Sequence, residues 1–312
     1  MTDSHKIVIT GAAGLVGQNL IHRLVSKGGY RIVAIDKNAH NAAILSRFHP
    51  SVEVVIADVA EPGPWTATLA GADTVVSGHA QIGGTEEAEF VRNNITATQH
   101  LLDALLAHRV PYLVNISSSV VNSAAVDFYT ETKKAQEQML LESGIKQVVL
   151  RPTLMFGWFD RKHMGWLARF MKRVPVFPIP GDGRFLRQPL FVGDFCEIII
   201  AAAEQRKTGT YNISGQEKID YIDLMRAVKR AVRARTAIVR IPYRAFWLLL
   251  KLNQTVRSDP PFTTKQLEAL STPDVFEVID WPSLFGVRAT PLDEALHETF
   301  QNPVYSEVVL EF

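Results

Sequence analysis

The N-terminal half of the chain alternates short runs rich in Val and Ile with longer stretches whose apolar residues recur at helical spacing. Lys6 to Thr10, Arg31 to Ile35, Val52 to Ile56, Thr74 to Ser77, Tyr112 to Ser117 and Gln147 to Leu150 read as strands. Leu15 to Ser26, about 86–108 and about 128–143 read as helices, and Gly28-Gly29 supplies a C-terminal stop for the first. Strands rich in Val and Ile, each followed by a helix, indicate a parallel sheet covered on both faces. The expected fold class is therefore α/β, with a doubly wound parallel sheet.

After Arg151 the pattern loosens. Prolines at 175, 178 and 180 and at 260 and 261 suggest rigid loops shaping a cleft. Apolar pieces at Leu190 to Ala203 and Tyr211 to Ser214 suggest a return to the sheet. The expected division is a Rossmann-type domain from 1–152 plus about 188–216. A smaller, discontinuous C-terminal substrate domain takes 153–187 plus 217–312.

Composition narrows the classes. The 312 residues carry 33 Lys plus Arg and 32 Asp plus Glu, a net charge of +1 that offers no general attraction to nucleic acid or anionic membrane. Cys196 is the single cysteine, so no intramolecular disulfide forms. The N-terminus has no signal-peptide pattern, and a cytoplasmic location is expected. Phe246 to Leu252 is too short to span a bilayer and reads as a core or interface helix.

Gly11, Gly14 and Gly17 lie between the first strand and the first helix. One glycine allows the turn, one lets the backbone approach a pyrophosphate, and one lets helix and sheet pack closely. The phosphates would then meet the first-turn amides of Leu15, Val16 and Gly17 at a helix N-terminus. Asp36 ends the second strand 19 residues after Gly17, where a carboxylate can bond ribose hydroxyls and repel a 2′-phosphate. NAD is thus expected over NADP, although Lys37 could offset part of that repulsion. Asp58-Val59 after the third strand fits an adenine contact as well as it fits an exposed loop. No metal is called for.

Tyr129 and Lys133 stand four residues apart, on one face of a helix. A free tyrosine, with a pKa of about 10, is a poor base at neutral pH, and a nearby ammonium stabilises its phenolate. The fifth strand ends at Ser117, Ser118 and Ser119, any of which could bond a reacting oxygen.

Together these motifs resemble the extended short-chain dehydrogenase/reductases, in the NAD-dependent epimerase/dehydratase branch acting on nucleotide sugars. Further matches are Asn94 to Thr98, Arg151-Pro152 with Gly157, Gly181 and Gly183 with Arg187, Val192 with Asp194, Trp281-Pro282 and Pro291 to Asp293. The resemblance implies Ser118, Tyr129 and Lys133 as the catalytic set, with Lys133 also on the nicotinamide ribose. It places substrate near Arg187, His79 and Ser119, and it implies a homodimer paired through the helices at 86–108 and 128–143. Ser77-Gly-His79-Ala80 and Asn122-Ser123 depart from the family's pattern. In the family's dehydratases an Asp and a Glu follow the catalytic residue; here Ser119 and Val120 stand there. An NDP-sugar epimerase or NDP-4-keto-sugar reductase is therefore expected. A family member acting on a non-nucleotide alcohol or ketone, or a non-catalytic NAD-binding protein, is the alternative.

Overall fold

The computed structural model describes residues 4–256, 264, 267 and 276–311. The strands β1 (His5–Thr10), β2 (Tyr30–Asp36), β3 (Glu53–Ile56), β4 (Thr74–Ser77), β5 (Leu113–Ile116) and β6 (Gln147–Pro152) appear where the Val and Ile runs predict. Four short strands follow, β7 (Met155–Phe156), β8 (Val176–Pro180), β9 (Leu186–Arg187) and β10 (Leu190–Phe191); then come β11 (Gly209–Ile213), β12 (Ile219–Asp220) and β13 (Ala237–Ile241). Seven strands form one sheet in the order β11-β6-β5-β4-β1-β2-β3, with every pairing parallel. This is a Rossmann-type α/β fold. The direction of winding reverses between β1 and β4, which places a ligand crevice beyond their C-terminal ends.

The continuous apolar runs have a direct cause. Ile7 and Ile9 of β1 enter one core, Val8 the other, and all three are at most 1% exposed. The first face is covered by α1 (Leu15–Lys27) and by α7 (Val192–Gln205), whose Phe195, Ile198 and Ile199 are fully buried. The second face is covered by α4 (Ala97–Ala107) and α5 (Phe128–Leu141). Leu190 onward therefore does return to the sheet, with α7 packed on its face and β11 at its edge, while β10 pairs with β7 apart from it.

Two expectations change. The helix at 86–108 is broken into α3 (Glu87–Phe90), a π-helical turn at Val91–Thr96 and α4. The widened turn accommodates Asn94, fully buried, whose amide bonds the backbone of Gln81 and the hydroxyl of Thr132. Pro178 and Pro180 lie within β8, where the sequence suggests a loop. That strand pairs only with β13, so alternate amides point away from the ladder and two prolines remove none of its bonds. Pro260 and Pro261 lie outside the described residues.

Among the described residues the remaining helices are α2 (Ala39–Phe48), α6 (Met164–Arg173), α8 (Tyr221–Ala231), α9 (Tyr243–Val256), α10 (Trp281–Phe285) and α11 (Leu292–Gln301). No described helix is long and apolar enough to cross a membrane. Phe246 to Leu252 forms the middle of α9, which buries Leu250 but exposes Leu248, Leu249 and Leu252.

Candidate functional site

The three glycines of the first turn do different work. Gly11 has φ +64°, and a Cβ there would lie 2.6 Å from the Gly78 carbonyl oxygen, beside β4. At Gly17 a Cβ would lie 2.4 Å from the Ala12 carbonyl oxygen, so only glycine lets α1 sit this close to the turn. A Cβ on Gly14 would meet only the Gly11 carbonyl oxygen, at 3.4 Å, and otherwise point into open space. Gly14 is also the N-cap of α1 and brings no side-chain cap, so the first-turn amides of Leu15, Val16 and Gly17 stay available to a phosphate.

Asp36 joins this turn directly. Its carboxylate accepts hydrogen bonds from Ala13 N at 2.8 Å and Asn38 N at 2.9 Å. Burial raises its pKa, and the Asn38 and Ala13 amides and Lys37 oppose the rise. An open cradle at Gly14, an exposed helix start and a carboxylate at the end of β2 together fit a dinucleotide. Asp58 is more occupied: Arg92 reaches it at 2.7 Å and Lys37 at 3.9 Å. Burial pushes its carboxyl up, but the Arg92 and Ala60 hydrogen bonds and the charges of Lys37 and Arg92 bring it below the usual range. Val59 is 6% exposed and turns its side chain into the second core.

The serines separate by environment. The Ser117 hydroxyl is buried without a hydrogen-bond partner among the described residues. Ser118 caps a single 3-10 turn, Ser119–Asn122, accepting from Val120 N at 3.4 Å. Ser118 also lies close enough to Tyr129 to act on the ionisation of its phenol. Burial raises the Tyr129 pKa, the Ser118 hydrogen bond lowers it, and Asp127 raises it again. Tyr129 sits in the first turn of α5, which Asp127 caps by accepting from Thr130 N.

One turn along α5, Lys133 is only 2% exposed. Its ammonium donates to the Ile116 carbonyl at 3.1 Å and to the Gln136 side-chain oxygen. Burial lowers its pKa to about 8, and Glu137 acts in the opposite direction. Gln136 in turn donates to Thr98 Oγ1 at 2.8 Å. His79 Nε2 lies 3.1 Å from the same hydroxyl, and its Nδ1 lies 2.8 Å from Thr10 Oγ1. A continuous polar chain thus runs from Thr10, beside the glycine turn, through His79, Thr98 and Gln136 to Lys133. Glu137 forms a forked ion pair with Arg151, tying α5 to β6.

Sequence reasoning assigned His79 to substrate, but both its ring nitrogens bond inside the chain. Burial and the charge of Lys133 lower its pKa to about 3, so the ring is neutral. Its place here is a support beneath the site. Gln136 has no motif to mark it, and Thr98 is marked only as the end of the Asn94 to Thr98 match; each lies one helical turn from a named residue, Lys133 or Asn94.

Arg187 is not in this cluster. It lies on β9, outside the main sheet, where its guanidinium stacks over Phe185 at 5.1 Å and bonds the Leu186 carbonyl. Asp194, buried at the start of α7, accepts from Thr290 N and Oγ1 and so holds the loop before α11.

Comparison with known proteins is consistent with this geometry. A 2-alkyl-3-oxoalkanoate reductase of Stenotrophomonas maltophilia is 26% identical over 336 aligned positions, covering 93% of this chain and 97% of the relative. A dTDP-glucose 4,6-dehydratase of an Actinoplanes species is 26% identical over 73% of this chain and 82% of its own. Among solved structures, UDP-glucuronic acid 4-epimerase of Bacillus cereus in complex with NAD superposes with a TM-score of 0.72 at 21% identity, covering 95% and 97% of the two chains. UDP-glucose 4-epimerase of Thermotoga maritima with UDP-glucose gives 0.73 at 17% identity, covering 94% and 97%. The family model of the NAD dependent epimerase/dehydratase family matches residues 7–214, two thirds of the chain. The chain accordingly belongs to the NAD-dependent epimerase/dehydratase family, as an enzyme of the extended short-chain dehydrogenase/reductase type whose cofactor is NAD.

Proposed function

We propose that the protein is a nucleotide-sugar oxidoreductase, an NDP-sugar epimerase or an NDP-4-keto-sugar reductase, working through Ser118, Tyr129 and Lys133. The observation that carries this reading is the buried ammonium of Lys133, one helical turn along α5 from Tyr129, whose ionisation Ser118 also influences. NAD would lie on Gly11, Gly14 and Gly17, with Asp36 on its ribose and Asp58-Val59 towards the adenine; when bound, it supplies the hydride acceptor or donor. Ser118 orients the substrate oxygen. Tyr129, a neutral phenol in the buried site, exchanges the proton with that oxygen. Lys133 stabilises the phenolate and holds the nicotinamide ribose. Arg187 binds the substrate diphosphate as a forked donor, with Ser119 beside the sugar. Water elimination is disfavoured, because Ser119 and Val120 supply neither acid nor base.

The test is a panel of NDP-sugars and NDP-4-keto sugars followed by mass spectrometry of cofactor and products. Retained NAD with isomerised sugar identifies the epimerase, and stoichiometric consumption of NADH identifies the reductase. A second reading is favoured by the Stenotrophomonas relative, named as a reductase of 2-alkyl-3-oxoalkanoates and aligned over nearly both full lengths. The panel therefore includes 3-oxo acids, and turnover of these alone would replace the nucleotide sugar as substrate. No turnover with any member, with NAD bound, would favour a non-catalytic role.

The two-domain division at 152/153, 187/188 and 216/217 belongs to this reading, as does a cytoplasmic homodimer. Pairing through the segment from α3 to α4 and through α5 is supported by the exposed apolar side chains of Leu106, Phe128 and Leu141.

A further inference from the structure

The balanced net charge hides a segregation. From Leu224 to Ser258 the chain has nine Lys or Arg residues and no carboxylate. Towards the end of this stretch lies α9, which, apart from the exposed Tyr243 at its start, divides around its axis at 100° per residue. Phe246, Trp247, Leu250, Asn253 and Gln254 occupy one arc and are buried or half-buried. Arg244, Leu248, Leu249, Lys251 and Leu252 occupy the other and are exposed, the three leucines by 54–55%. The Lys251 ammonium lies 4.8 Å over the Trp247 ring at the boundary between the arcs. Val239 and Arg240, on the strand leading into α9, are exposed as well.

We propose that the outward face of α9 docks the protein onto an anionic lipid surface, with α9 lying in the plane of the interface. Leucines flanked by basic residues, with a tryptophan at the margin, are the composition by which a helix inserts its apolar face among headgroups while its cations meet lipid phosphates. The charge decides against a second copy of the chain as occupant. A two-fold contact on this face would set Arg244 and Lys251 against the same residues of the partner, and α9 carries no carboxylate to neutralise them.

The experiment is co-sedimentation of the full chain with vesicles of phosphatidylcholine alone and of phosphatidylcholine with phosphatidylglycerol, at low and high salt. The wild type sediments with the anionic vesicles only, and salt releases it. Leu248→Glu with Leu249→Glu abolishes sedimentation at an unchanged melting temperature and NAD affinity. Arg244→Ser and Lys251→Ser each weaken it by about fivefold. Failure of the wild type to bind anionic vesicles, or undiminished binding by the leucine variant, would overturn the proposal. So would loss of a dimer in the leucine variant without any vesicle binding, which would assign the face to a second copy.

Discussion

The carboxylate of Asp36 accepts a hydrogen bond from the backbone amide of Ala13 at 2.8 Å. The end of β2 and the glycine turn are thereby one unit: the residue proposed to bond the cofactor's ribose also fixes the loop proposed to receive its phosphates. Asp36→Ala removes both functions. NAD affinity is expected to fall by more than tenfold, since losing a hydrogen bond to a charged group costs about 1.5–3 kcal/mol. Discrimination against NADP should relax in the same variant. Titration calorimetry with both cofactors measures it, and a wild type that binds NADP more tightly than NAD would contradict the assignment.

The second and third glycines of the turn, Gly14 and Gly17, make a contrasting pair. Gly14→Ala places its methyl group in open space, so the fold should tolerate it within about 1 kcal/mol while NAD binding is lost. Gly17→Ala drives a methyl group to 2.4 Å from the Ala12 carbonyl oxygen, and the backbone must shift. That variant should lose about 1–3 kcal/mol of stability, read by denaturant unfolding. Equal destabilisation by the two changes would show that Gly14 serves packing as well.

Tyr129→Phe removes the exchangeable proton and keeps the ring. Turnover should drop by about two to four orders of magnitude, with NAD affinity nearly unchanged. Ser118→Ala should lower the rate too and, by removing the hydrogen bond that opposes burial, move the Tyr129 pKa upward. The pH-rate profile of that variant should shift to higher pH; an unshifted profile would argue that Ser118 acts on substrate alone.

His79 carries a pH dependence whose sign follows from burial. Its ring has a pKa of about 3 in the folded chain against the ordinary 6.5, so folding favours the neutral form. Its contribution to stability is complete above pH 6.5 and is lost as the pH falls towards 3. His22, at about 4, acts in the same sense, so the informative quantity is the difference between wild type and His79→Gln. The wild type should melt at the higher temperature at neutral pH, and the gap should narrow as acid is added. A gap that does not change with pH would contradict a neutral buried His79.

Much of this site was legible because its parts are local. Gly11, Gly14 and Gly17 must be glycines for reasons confined to one turn, and Tyr129 and Lys133 share a helix face by spacing alone. The polar network beneath them was not legible. The inward face of α5 is made of Lys133, Gln136 and Glu137 with Leu140, all at most 6% exposed. A reading based on hydrophobic periodicity assigns such residues to solvent. Only their partners Thr98 and His79, from α4 and the end of β4, and Arg151, from β6, make their burial possible.

The same division holds for the whole chain. Its alternating apolar runs determined the parallel sheet, because a strand buried on both faces can have no polar alternation, and its glycine and tyrosine motifs determined the cofactor and the candidate chemistry. Tertiary structure decided which groups meet across distance: Asp36 with the Ala13 amide, Gln136 with Thr98, and Glu137 with Arg151. It also decided that Leu248, Leu249 and Leu252 stay outside the core. A continuous apolar run on a helix can present only one arc inward, and which arc is set by the surface the helix packs against.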